Sequence, residues 1–275
     1  MTYTQSKIKV ILEVFFVFLV TFLIIWAMQI PLLGEWKSRV LQRPFLEYAV
    51  MIAMPSVFLL VTRRNFAAYG ISFKNLKYHL DVVLTCFLPV AVSCVPFAFL
   101  NWTRWDGALL LAVIELAVLF AIAWMLRNKP TASNLGTISA FSFLLLGISP
   151  SLGPMIGKAS SAFIFYFAFL GPGEEILFRG YIQSRLNETF GRPYRFFGVN
   201  WGWGVVITSL IFGFMHVLNH FNPFLGNFEL MWWWGLWTFF SGLVYGFIRE
   251  KTGSVVAPAI LHGLPQAIAY AFLEL

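Results

Sequence analysis

Glu174 and Glu175 stand side by side, with Arg179 four residues further on, directly after the uncharged run from Phe163 to Gly173. An ionised side chain at the centre of a membrane helix costs about 2.5–3.5 kcal/mol on insertion scales, so such residues usually face an interior and carry function. At helical spacing Glu175 and Arg179 are i,i+4 neighbours, whereas Glu174 points about 100° away. If Arg179 neutralises Glu175, Glu174 is left without a partner in an apolar setting. A carboxyl placed there, beside a second negative charge, is poised to exchange a proton near neutral pH, as a general base must. The structural alternative is a buried ion-pair knot, or a charged cluster where the helix meets the cytoplasmic interface.

Two later apolar segments each bring a histidine. Phe212-Gly-Phe-Met-His216 puts one on the seventh segment, where a lone imidazole is as often a hydrogen-bonded packing group as a functional one. His220 follows at i+4, a spacing that can hold a metal. However, Asn219, Asn222 and Pro223 signal a helix end, which places His220 at the interface. On the last segment His262 and Gln266 are again i,i+4 and share one face, with Pro265 between them to kink the helix. As hydrogen-bond donors the pair could stabilise an oxyanion during attack on a carbonyl; the alternative is two interhelical hydrogen bonds. Glu115 stands alone among apolar residues with no identifiable partner. Lys251-Thr252-Gly253 has no Ser-x-x-Lys to accompany it, and Gly171-Pro172-Gly173 lacks the lysine of a phosphate loop. Acid and imidazole in an apolar box are the material of hydrolysis.

The elements that must position these groups are membrane helices. Of 275 residues, 59% are hydrophobic and 11% charged, and mean hydropathy is +0.78. A soluble domain carries roughly 25% charged residues. The formal charge of +7 is explained by basic loops flanking membrane spans, not by a nucleic-acid partner. Cys86 and Cys94 fall within one apolar segment and read as small hydrophobes, not as a disulfide or a metal pair. The apolar stretch 10–33 is too long for a cleaved signal peptide, and no organelle signal or lipidation motif is evident.

Apolar segments at 10–33, 45–62, 80–100, 107–126, 137–153, 160–180, 203–221, 231–248 and 255–273 suggest nine spans in an all-α helical bundle with a polar cavity. The sixth is expected to continue as an amphipathic helix through Leu186. Alternate loops are rich in Lys and Arg, from Lys7 and Lys9 through Arg63, Arg64, Lys74 and Lys77 to Arg249 and Lys251. The opposite loops hold only Lys37, Arg39, Arg43, Arg104 and Lys158. By the positive-inside rule the N-terminus is cytoplasmic and the C-terminus outside. The loops are short and leave no room for a soluble domain. The chain divides into accessory helices at 1–155, which carry no informative motif, and a catalytic core at 156–275.

Taken in order, Glu174-Glu175-x-x-Phe178-Arg179-Gly180, Phe212-x-x-x-His216 and Thr252-Gly253-Ser254-x-x-x-Pro258-x-x-x-His262 resemble the CAAX-protease and bacteriocin-processing family of intramembrane proteases, over roughly residues 160–273. The resemblance implies that Glu174 and His216 activate a water molecule. It also implies that His262 and the residue four further on bind the oxyanion, while Glu175 and Arg179 shape the site. That last position is usually Asn in the family and is Gln266 here, one methylene longer with the same donor. The family was long described as zinc-dependent, and glutamate-activated water without metal is the better-supported view of its eukaryotic branch. The expectation is therefore a glutamate-type peptidase with no cofactor.

Its substrate would be a membrane-associated or lipidated protein or peptide, reached from the cytoplasm or inner leaflet of a prokaryotic plasma membrane. Three other readings compete. A non-proteolytic scaffold or immunity protein of the same fold is favoured only by Gln266. A transporter coupling ions through Glu115 and Glu174 would call for paired broken helices in matching halves, which are not evident. A zinc variant would draw its ligands from His216, His220 and His262.

Overall fold

A computed structural model describes residues 7–128 and 155–273, so the candidate span at 137–153 lies outside the described residues. The chain is mostly helical. Helix α1 is Lys7–Ala27, α2 Pro31–Val40, α3 Phe45–Val61, α4 Leu76–Cys94 and α5 Trp105–Met125. A long helical run, α6, covers 155–190 and is followed by α7 Trp203–Val217, α8 Trp232–Thr252 and α9 Val256–Leu273. Among the described residues the strands form two small antiparallel hairpins. One pairs Tyr194–Phe196 with Val199–Trp201, the other Phe221–Asn222 with Asn227–Phe228.

Among the described residues four helices are long and apolar enough to cross a membrane: α1, α4 with its following turn, α5 and α6. A fifth span results if α2 and α3, bent 110° to each other, count as one broken element. These helices make the chain an integral membrane protein. The number is smaller than the nine apolar segments, although each segment within the described residues coincides with a helix. The reasons are local. With 15 residues, α7 reaches about 22 Å, short of a hydrocarbon core of about 30 Å. The last turn of α8 carries Arg249, Glu250 and Lys251, which belong to an interface.

Two apolar cores hold the bundle. One joins α4, α5, α8 and α9 through Val83, Phe87, Ile122, Phe247 and Leu261. The other joins α1, α3, α6 and α7 through Phe18, Leu59, Phe178, Ile182 and Phe212. The candidate carboxylates, on α6, and His262, on α9, meet where the two cores abut.

The run α6 is not a uniform helix. Its α-helical turns Met155–Ile164, Gly171–Glu175 and Ser184–Phe190 alternate with π-helical stretches Phe165–Leu170 and Ile176–Gln183. Pro172 has no N–H to give the ladder and its ring crowds the carbonyl four residues back, so the preceding turns widen. Beyond the site, the C-terminal part of α6 is fastened to its neighbours by polar groups. Gln183 Nε2 donates to Glu250 Oε1 at 2.7 Å, and Arg249 Nη2 donates to Ser184 Oγ at 2.8 Å. Glu13 of α1 accepts from Arg64, from the Tyr181 hydroxyl at 2.9 Å and from Arg185 Nε at 2.9 Å.

Candidate active site

Glu174 and Glu175 occupy the single α-helical turn between the two π-helical stretches, and both are buried. Arg179 lies in the second stretch, fully buried, and its Nη1 donates to Glu175 Oε1 at 2.9 Å. The ion pair expected from i,i+4 spacing therefore forms despite the widened helix. Arg179 Nη2 donates to the Gly242 carbonyl of α8 at 3.2 Å, and the guanidinium sits over the Phe212 ring, 4.3 Å from its centroid. Packing on aromatic faces is how a buried guanidinium compensates for lost water.

His262 reaches both carboxylates from α9. Its Nδ1 lies 3.0 Å from Glu175 Oε1, and its Nε2 lies 3.7 Å from Glu174 Oε2. Glu175, paired with Arg179, can only accept, so Nδ1 carries the proton of that bond. Glycine lets the helices come this close. A Cβ at Gly171 would fall 2.5 Å from the Ala259 carbonyl oxygen, and one at Gly263 would fall 2.5 Å from that of Tyr166. Tyr245 of α8 stacks on the imidazole, with ring centroids 4.7 Å apart and planes inclined by 14°.

Glu174 is not partnerless, contrary to the expectation from spacing. The Tyr48 hydroxyl of α3 donates to its Oε1 at 3.3 Å, because a bent α2–α3 pair brings the start of α3 against the turn that carries the carboxylates. Its Oε2 has no hydrogen-bond partner among the described residues, nor has Glu175 Oε2 or Arg179 Nε. Buried polar atoms are rarely left so, and three of them in one cluster mark a place where a ligand can complete the set.

Residues 157–268 match the family model described as type II CAAX prenyl endopeptidase Rce1-like. The match agrees with the resemblance carried by the three motifs and points to a protease, a hydrolase. No curated protein and no solved structure matches the chain.

The remaining candidates make no hydrogen bond to the two carboxylates among the described residues. His216 is half-buried on α7 and its Nδ1 donates to the Phe212 carbonyl at 2.9 Å, which leaves Nε2 as an acceptor. Its ring lies 4.7 Å from that of Phe212 and 5.7 Å from that of Trp234. Gln266 is half-buried one turn beyond His262, and no hydrogen bond holds its amide among the described residues. Glu115 is buried on α5 and belongs to neither ion pair of the site. His220 is exposed, past the end of α7, with Nδ1 3.0 Å from Glu229 Oε2.

Of the histidines weighed as zinc ligands, His220 is engaged at an exposed hairpin, while Nδ1 of His216 is bonded within its own helix and Nδ1 of His262 to Glu175, which leaves Nε2 of each as the nitrogen that could meet a metal. No three His, Cys, Asp or Glu side chains among the described residues are grouped to hold a metal ion.

The sequence reading missed Tyr48, Tyr245 and the Phe212 ring beneath Arg179. Only Phe212 had a signal, as the first residue of the motif that ends in His216. The tyrosines sit in apolar helices with no motif around them.

Proposed function

We propose that the chain is an intramembrane endopeptidase of the glutamate type, hydrolysing a peptide bond in a membrane-associated or lipidated protein. The observation that carries this reading is the Oε2 of Glu174, buried on a membrane helix, 3.7 Å from the Nε2 of His262 and without a hydrogen bond among the described residues. Glu174 Oε2 takes the proton of an attacking water and the resulting hydroxide adds to the scissile carbonyl; as the tetrahedral intermediate collapses the C–N bond breaks and that proton passes to the leaving amine. Glu175, fixed by Arg179, orients His262 through Nδ1, the part played by the third member of nucleophile–base arrangements. In its imidazolium form His262 also donates from Nε2 and, with the amide of Gln266, stabilises the oxyanion. The open Nε2 of His216 is a second acceptor for protons released along the path. No metal takes part in this scheme.

The proposed setting is a nine-span protein of a prokaryotic plasma membrane, N-terminus inside, with substrate entering from the cytoplasmic side. Helices 1–155 are accessory to a catalytic core at 156–275. A scaffold or immunity role for the same fold is the second reading, and the observation favouring it is Gln266 in place of the family's Asn.

The experiment is cleavage of a fluorogenic peptide ending in a prenylated cysteine motif by the detergent-purified protein, beside a proteomic comparison of membranes holding the wild type or Glu174→Ala. New peptide termini that depend on Glu174 support the protease. Identical termini in both membranes, with no peptide cleavage, support the scaffold.

A further inference from the structure

Tyr48 approaches the candidate base from outside residues 157–268, and its contact divides the two oxygens of Glu174. Oε1 accepts from the phenol at 3.3 Å, whereas Oε2 is open and faces His262. At 3.3 Å the bond is longer than the usual O–H···O range, as catalytic contacts often are before substrate binds.

Several features build this approach. At Gly173, the residue before the carboxylate pair, a Cβ would lie 3.1 Å from the Tyr48 carbonyl oxygen and 3.2 Å from its Cδ1, so a side chain there would crowd α3. The ring of Tyr48 packs edge-to-face against Phe165 at 5.3 Å, and Phe45 meets Phe165 and Phe169 at 5.2 and 5.0 Å. These contacts set the direction of the phenol. The adjacent Glu47 is buried and ion-paired with Lys37 of α2, which fixes the start of α3.

We propose that Tyr48 is a positioning residue of the active site: its hydroxyl holds Oε1 of Glu174 so that Oε2 is presented to His262 and to the water that will be deprotonated. The inference rests on Glu174 being the general base. It makes α3 part of the working site, so the unit that cleaves is larger than the matched domain. A carboxylate at the end of a flexible side chain otherwise swings about its terminal bond, and misplacement of a reacting group by a fraction of an ångström slows chemistry without weakening substrate binding.

The test is steady-state cleavage of the prenylated fluorogenic peptide by full-length protein in detergent. Tyr48→Phe removes one oxygen and keeps the ring. It should lower kcat about tenfold, the scale of one hydrogen bond to a charged group, with KM and melting temperature unchanged. Glu174→Asp withdraws the carboxylate by one methylene, beyond the reach of the phenol. In that background Tyr48→Phe should lower kcat no further, because the two residues act as one unit. An unchanged kcat in Tyr48→Phe overturns the inference, as does a full additional loss in the Glu174→Asp background. A raised KM at constant kcat makes Tyr48 a substrate contact and overturns it too. Cleavage by Glu174→Gln at the wild-type rate removes the general base itself, an outcome distinct from any of these.

Discussion

A carboxylate with no exposure that accepts from both a guanidinium and an imidazole has given up all its water to two partners. Glu175 is in that position, bound to Arg179 at 2.9 Å and His262 at 3.0 Å. Among the described residues Glu174 accepts one hydrogen bond, from a tyrosine hydroxyl, and has no arginine of its own. The two neighbours should therefore fail differently. Glu174→Gln should abolish peptide cleavage and leave the detergent melting curve near that of the wild type, because the amide keeps the shape but takes no proton. Glu175→Gln strands Arg179 as an uncompensated buried charge, a loss of about 3–5 kcal/mol, so here the melting temperature should fall as well. From i,i+4 spacing alone Glu175 looks like a neutralised bystander and the milder loss; its second bond, to His262, gives it a share in placing the imidazole as well. At Gln266 no hydrogen bond holds the amide among the described residues, which suits a donor that acts in the transition state. Gln266→Ala should lower turnover by about 10²–10³ with little change in melting, and Gln266→Asn should retain or improve activity. Saturating kcat and melting of both variants check this, and unchanged turnover in Gln266→Ala would remove the residue from the site.

At the scale of elements, the site depends on how near α9 comes to α6. Gly171 faces the backbone of α9 and Gly263 that of α6, and a Cβ at Gly263 would lie 2.5 Å from one carbonyl oxygen and 3.2 Å from the Phe167 Cα. Neither neighbour is a flexible side-chain tip, so the helices must part. Gly263→Ala should thus lower stability by about 1–3 kcal/mol, the usual scale of overpacking, and reduce cleavage more than that stability change explains, since His262 is the adjacent residue. Melting and kcat measured together test it; wild-type values for both would show that the approach is looser. How far such elements can be read from sequence depends on their physics. Apolar runs and terminal charges placed the helices, and i,i+4 arithmetic found the Glu175–Arg179 pair, because both are local. The π-helical stretches on either side of Glu174 left no pattern beyond Pro172. Tyr48 left none at all, since the bend that delivers it, 110° between α2 and α3, is a tertiary feature 126 residues away from its acceptor.

At the scale of the molecule, two cores meet along the seam that holds the site, and the loops at the two ends differ in charge. If the N-terminus is cytoplasmic, Glu35 of α2 and Arg195 of the first hairpin lie on opposite sides of the membrane. Both are exposed. With Cys86 and Cys94 replaced, an impermeant thiol reagent should label Glu35→Cys in intact cells and Arg195→Cys only after permeabilisation. Labelling of both from the same side would overturn the proposed topology. The bonds of Glu13 add a matter of timing. It lies on α1, and its partners Arg64 and Arg185 follow 51 and 172 residues later in the chain. Synthesis runs from the N-terminus, so α1 must wait in the bilayer with a carboxylate served only by water near the headgroups. Its final seating against α6 is consequently a late event in biogenesis, completed when the segment that carries the active site has itself been inserted.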